Sequence, residues 1–83
     1  MTVTETRVFK TKGDTSLKAF ANVTFDQMFV IRGIKVIEGR NGKFIAFPDR
    51  KDKKGEYKDI CHPINSECRK IIQDAVLKAY EEA

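Results

Sequence analysis

Eighty-three residues make one small domain, and 41% hydrophobic content is enough for a compact core, which excludes global disorder. Sixteen Lys and Arg against twelve Asp and Glu leave a net charge of +4, a balance that suits a polyanionic partner without demanding one. No apolar run approaches the ~20 residues of a membrane span.

In chain order, the first strand is expected over residues 3–12. It closes in the turn "KGDTS", where Gly and Asp supply turn geometry. The second strand, residues 17–25, has the clearest pattern. Leu17, Ala19, Ala21, Val23 and Phe25 alternate with Lys18, Phe20, Asn22 and Thr24, a period of two with one apolar face. Asp26 and Gln27 form the next turn. "MFVIRGIKVIEG" is then long enough for a strand over residues 28–39, but its parity changes. Phe29 and Ile31 share one face, and Ile34 and Val36 share the other. A bulge at Gly33 would restore a single apolar face and bend the strand, which could then pass to a second sheet or a second subunit. A strand that ends at Gly33 explains the pattern equally well.

Asn41-Gly42 in "GRNGK" predicts a hairpin whose two central residues both have positive φ, the requirement of a type I′ turn. Residues 44–47 form the return strand, ended by Pro48. The run "DRKDKKGEYKD" follows as a charged loop turning at Gly55. Residues 57–61 form a last short strand, expected to pair with residues 44–47. Pro63 disfavours helix at His62. Asn65 or Ser66 can cap the helix that follows, with Glu67 favourable at its N-terminal dipole. Cys68, Ile71, Ile72, Ala75, Val76 and Ala79 make its apolar face, and Leu77 falls among polar residues opposite. Glu81 and Glu82 oppose the dipole, so the last turn is expected to fray.

The expected fold class is therefore α+β: an antiparallel sheet of about five strands with one C-terminal amphipathic helix packed on it, in a single domain over residues 1–83. One helix of about 16 residues, roughly 24 Å long, covers only part of one sheet face. Phe20, Phe29 and Ile37 need other cover, which predicts a homodimer.

Enzymatic chemistry is poorly supported. Asp59, His62 and Ser66 are the residue types of a hydrolase triad, but no nucleophile elbow or oxyanion hole accompanies them. A structural zinc site needs four ligands, and one chain brings together only Cys61, His62 and Cys68. No G-x-x-x-x-G-K-[ST] or G-x-G-x-x-G motif is present. No catalytic residue, metal or other cofactor is therefore expected. Two cysteines outside a C-x-x-C spacing read as buried free thiols in a reducing compartment. The first ten residues hold no apolar signal core, so the expected compartment is the cytoplasm.

The basic surface remains. Arg50, Lys51, Lys53 and Lys54 against Asp52 leave a local net of plus three, with Asp49, Glu56 and Asp59 toward the strand ends. Such a tip can hold phosphates, and Arg69 and Lys70 at the start of the helix extend the patch if the loop folds toward them. The helix N-terminus itself also favours a phosphate. A solvated tip that blocks edge pairing accounts for the same charges.

The order of motifs adds to this. "VIEGRNGKFIAFP", then "GEYKDICHPIN", then a helix ending "VLKAY", resembles the SpoVG family of bacterial stage V sporulation or septation regulators, over almost the whole chain. The resemblance implies a small α+β protein that dimerises through its strands. It also implies a regulator of gene expression that binds DNA and RNA, with effects on septation in spore formers. The family's basic positions match at Arg50, Lys51 and Arg69; Lys53, Lys54 and Lys70 join them on charge alone. Where the family carries Ser after the proline this chain has Asp49, and where it carries Met before the proline this chain has Phe47. An acid beside the basic run lowers the local positive potential. The alternative is a protein-interaction module in septation, acting through a strand edge or the Leu77 face without nucleic acid.

Overall fold

The alternation along residues 17–25 sets the layout of the molecule. In the computed structural model, which describes residues 2–13 and 15–83, Ala19, Ala21, Val23 and Phe25 are buried against the helix. Their strand, β2 (Leu17–Phe25), lies inside a four-stranded antiparallel sheet with β1 (Val3–Lys10), β3 (Phe29–Gly39) and β4 (Gly42–Ala46), in the order β1-β2-β3-β4. A two-stranded ribbon of β5 (Asp49–Lys51) and β6 (Tyr57–Asp59) stands apart, and α1 (Ser66–Glu82) covers one sheet face. The α+β class holds. β1 ends two residues earlier than expected, and Asp14 of the expected turn lies outside the described residues.

The parity change in β3 is a bulge. Val23 pairs with Ile31 and Ala21 with Ile34, so three steps on β3 oppose two on β2. Gly33 has φ +86°, a backbone that L side chains rarely adopt, and its N–H donates to Asn22 Oδ1 at 3.4 Å. The extra residue brings Ile31 and Ile34, of opposite parity, to the same core. β3 then continues to Gly39 within one sheet.

Two pairings differ from expectation. The β3–β4 hairpin forms, but Gly39 pairs with Gly42, so Arg40 and Asn41 are the central residues. Of the two expected positive φ values only that of Gly42, +118°, occurs. This register sets Ile45 opposite buried Val36 and lays the Phe44 ring on Gly39, where an added Cβ would meet Phe44 Cε1 at 3.0 Å. The type I′ sign pattern appears instead at Asp26 and Gln27, with φ 51° and 54°. Second, β6 does not pair with residues 44–47. Phe47 leaves the ladder to be buried, Pro48 has no N–H to donate, and its carbonyl accepts from Ile60 N at 2.7 Å. The charged run therefore folds on itself, Asp49 opposite Asp59, and supplies a sixth strand where a loop is expected.

The helix also sits differently from its apolar pattern. Ile72 and Val76 are fully buried, with Cys68, Leu77 and Tyr80 packed beside them. Ile71, expected in the core, is 45% exposed, whereas Leu77, expected outside, is half-buried. Tyr80 fixes this rotation. Lys10 Nζ from β1 and Lys43 Nζ from β4 lie 4.9 and 5.6 Å from its ring centroid. Asn65 is the N-cap, its side chain accepting from Cys68 N at 2.7 Å, an interaction worth about 1 kcal/mol. Instead of fraying, the helix runs to Glu82, and Lys10 Nζ donates to Ala83 O at 3.0 Å. That cation stands where the dipole needs one, in place of the basic residue the last turn lacks.

The sheet face away from the helix stays uncovered. Phe9, Phe20 and Phe44 are 54, 39 and 43% exposed there, beside half-buried Ile37. No described helix is long and apolar enough to cross a membrane.

Candidate nucleic-acid interface

The ribbon is built by Asp52. Its backbone N–H donates to Glu56 O at 2.8 Å, and its carbonyl accepts from Gly55 N at 3.1 Å. Its Oδ1 accepts from both Lys54 N and Glu56 N at 2.9 Å. Gly55, at φ +85°, completes the reversal. Lys58 Nζ lies 3.9 Å from Asp52 Oδ2. A carboxylate bound to two backbone N–H groups organises the tip (an Asx-type device) and is no random acid in a basic run. Asp49 is likewise engaged, 3.6 Å from Lys35 Nζ.

The two acids that oppose phosphate binding on charge grounds thus have structural partners. Arg50, Lys51, Lys53 and Lys54 are exposed, and among the described residues none has a carboxylate within 4.0 Å. They stand on one ribbon, where Arg50, Lys51 and Lys53 line a concavity of about 440 Å³ together with Asp52, Lys58, Asp59 and Ile60. Lys58 pairs across from Arg50, and Tyr57, 69% exposed, pairs across from Lys51. Lys58 counts toward the charge of the run in the sequence, but neither residue is among the contacts expected from it. A signal for both was present: residues at hairpin positions opposite a basic strand share its surface.

Arg69 and Lys70 are placed otherwise. α1 packs on β1, β2 and β4, and the ribbon has no comparable packing against it. The Arg69 guanidinium lies 5.5 Å from the Phe47 ring centroid, and its Nη2 donates to Ile45 O at 3.4 Å. Lys70 is exposed. At the helix N-terminus, Cys68 N is satisfied by Asn65, and Glu67 brings a negative charge. The structure therefore gathers four of the six basic candidates and leaves Arg69 and Lys70 on a separate element.

His62 Nδ1 lies 3.0 Å from Pro63 O; among the described residues no hydrogen bond joins it to Asp59 or Ser66. No grouping of three or more His, Cys, Asp or Glu suited to a metal occurs among them. Cys61 and Cys68 are free thiols and only half-buried.

One substitution separates the two roles of Asp52. Asp52→Asn keeps the Oδ1 acceptor and removes the charge. It is expected to leave the Lys54 and Glu56 amides protected in hydrogen exchange and to raise affinity for a phosphate polymer severalfold. Asp52→Ala is expected to lose that protection. Equal exchange in the two variants would show that the carboxylate does not hold the tip.

Comparison with known proteins places the chain in a family. The SpoVG family model matches residues 1–82. The chain is 54% identical over 83 residues to the "Putative septation protein SpoVG" of Thermoanaerobacter sp. (strain X514), covering all of this chain and 90% of that protein. The protein of the same name from Clostridioides difficile (strain 630) is 51% identical over 83 residues, with the same coverage. That from Archaeoglobus fulgidus is 49% identical over 80 residues, covering 96% of this chain and 94% of the relative.

Proposed function

The chain belongs to the SpoVG family, and from that membership and its basic ribbon we propose that it is a non-enzymatic, cytoplasmic regulator of gene expression that binds DNA or RNA and acts in septation or sporulation. The observation that carries this reading is the ribbon. Four exposed cations project from a hairpin whose neighbouring acids, Asp49 and Asp52, are engaged within the protein. Phosphate contact by Arg50, Lys51, Lys53 and Lys54 positions the chain on a polyanion without reading its bases. Lys70 adds charge from the helix. Arg69, stacked near Phe47, serves mainly to hold β4 against α1.

The protein acts as a homodimer in this reading. Phe20, Phe44 and Ile37 offer a second copy an apolar patch beside the edge strand β4. Two ribbons in one particle raise affinity through effective concentration when both engage.

Retention of mixed DNA and RNA fragments, titrated with salt, tests the reading. Binding that falls steeply with salt is expected. Retention of neither polymer above background would end the proposal.

The second reading is a septation module that binds protein alone. The relatives' names and the uncovered apolar face favour it. The Leu77 surface no longer does, because Leu77 packs on the core. Capture of a division protein that survives nuclease treatment would distinguish this reading.

A further inference from the structure

The uncovered sheet face is not uniform. Its half toward Phe44 is apolar, but toward the Asp26–Gln27 turn it becomes a cleft of about 410 Å³ lined by Arg7, Asn22, Thr24, Gln27 and Arg32 and bordered by Phe9. Phe9 is more than half exposed, at 54%. That volume lies in the range of about 300–1,000 Å³ usual for small-ligand sites.

The cleft lies beside the bulge. The ladder sets Arg7 opposite Asn22 and Glu5 opposite Thr24, all on the face away from the core. Alternation from core-packed Ile31 places Arg32 on this surface, beside the bulge at Gly33. Asn22 Oδ1 accepts from Gly33 N at 3.4 Å, which fixes the amide and leaves its NH2 group as a donor. Glu5 is held by Arg7 Nε at 3.0 Å. Arg32 is exposed and, among the described residues, has no carboxylate within 4.0 Å. With two arginines and one glutamate, the cleft is positive.

An exposed aromatic ring on an open antiparallel sheet, set among arginine and amide groups, matches the chemistry of an unstacked nucleobase and its phosphate. Phe9 offers a π-face, Asn22 and Gln27 offer hydrogen bonds to a base edge, and Arg32 offers a charge for the phosphate. A duplex cannot use such a cleft, because its bases are already stacked and paired. We propose that this cleft binds a base of single-stranded nucleic acid, with Phe9 as the stacking platform and Arg32 as the phosphate contact. The inference rests on the nucleic-acid reading above and adds to it a second site, specific for single strands.

The test uses the full chain, a short oligouridine and a blunt RNA duplex, with binding read by fluorescence anisotropy at one salt concentration. Phe9→Leu and Arg32→Gln change exposed side chains and leave the core intact. Each is expected to weaken oligouridine binding about tenfold while duplex binding stays within about twofold. Unchanged oligouridine affinity, or equal losses on both ligands, overturns the cleft as a base site. Sedimentation of the variants supplies a second measurement: a change in oligomeric state makes the cleft a subunit contact and also overturns it. If the unsubstituted protein binds neither ligand, the nucleic-acid reading itself fails. If it binds both and the variants behave like it, only the cleft fails.

Discussion

Replacing Arg50, Lys51, Lys53 and Lys54 together with alanine is expected to lower the slope of log affinity against log salt by about three. Each phosphate neutralised on duplex DNA contributes about 0.9 to that slope, and on a single strand about 0.7. Four cations removed therefore take roughly three units off it. Affinity at low salt falls with the slope, because the released counterions are the driving force. The four side chains are exposed and make no ion pair among the described residues, so the fold is expected to keep its stability within about 0.5 kcal/mol. That separates loss of grip from loss of structure. Lys70→Ala is equally clean. Arg69→Ala is not, since it also removes the guanidinium from Phe47 and from Ile45 O. An unchanged slope in the fourfold variant would exclude the ribbon as the grip.

The largest effect on stability is expected at Ile72. It is 2% exposed where α1 meets the sheet, and truncation to alanine leaves a cavity there. Such changes cost about 2–5 kcal/mol. Small domains have total stabilities of about 5–15 kcal/mol, so Ile72→Ala brings this chain near unfolding at physiological temperature. Ile71→Ala is the control, one residue away and 45% exposed. It is expected to cost less than about 1 kcal/mol. Urea midpoints at one fixed protein concentration compare the two, because association adds to apparent stability. Equal costs would mean that the helix is rotated from the position described.

The Ile71 and Leu77 pair shows where the pattern along the helix loses resolution. Both flank the axis through Ile72 and Val76, on opposite sides. Periodicity identifies that axis but leaves the rotation about it free within tens of degrees. The rotation is set by Tyr80, which meets lysines from both edge strands, and by Arg69, which reaches back to Ile45. Lys10 and Lys43 are far from Tyr80 along the chain, so nothing local announces the interaction.

The basic site was legible in part. Four clustered cations are visible in the sequence, and so is the turn at Gly55. The role of Asp52 is not, because its hydrogen bonds to Lys54 N and Glu56 N exist only once the ribbon has closed. Asp49 reads as a charge against binding until Lys35 is seen 3.6 Å away. The cleft with Phe9 and Arg32 draws on three strands. Of its parts, only the bulge at Gly33 could be read from one segment.

Local pattern by itself determined the second strand, the parity break at Gly33, the α+β class and the positions of the cations, and it narrowed the helix cap to Asn65 or Ser66. Each depends on neighbours within one turn or one strand, where side-chain period and backbone sterics dominate. The family motifs, spread along the chain, also identified the family. Tertiary structure decided which strands pair beyond Pro48, which helix face is buried and which acids oppose phosphate binding. Those outcomes depend on burial and on interactions between distant segments. A two-residue change of hairpin register keeps every side chain on its face, so alternation alone could not choose the pairing that sets Ile45 against Val36.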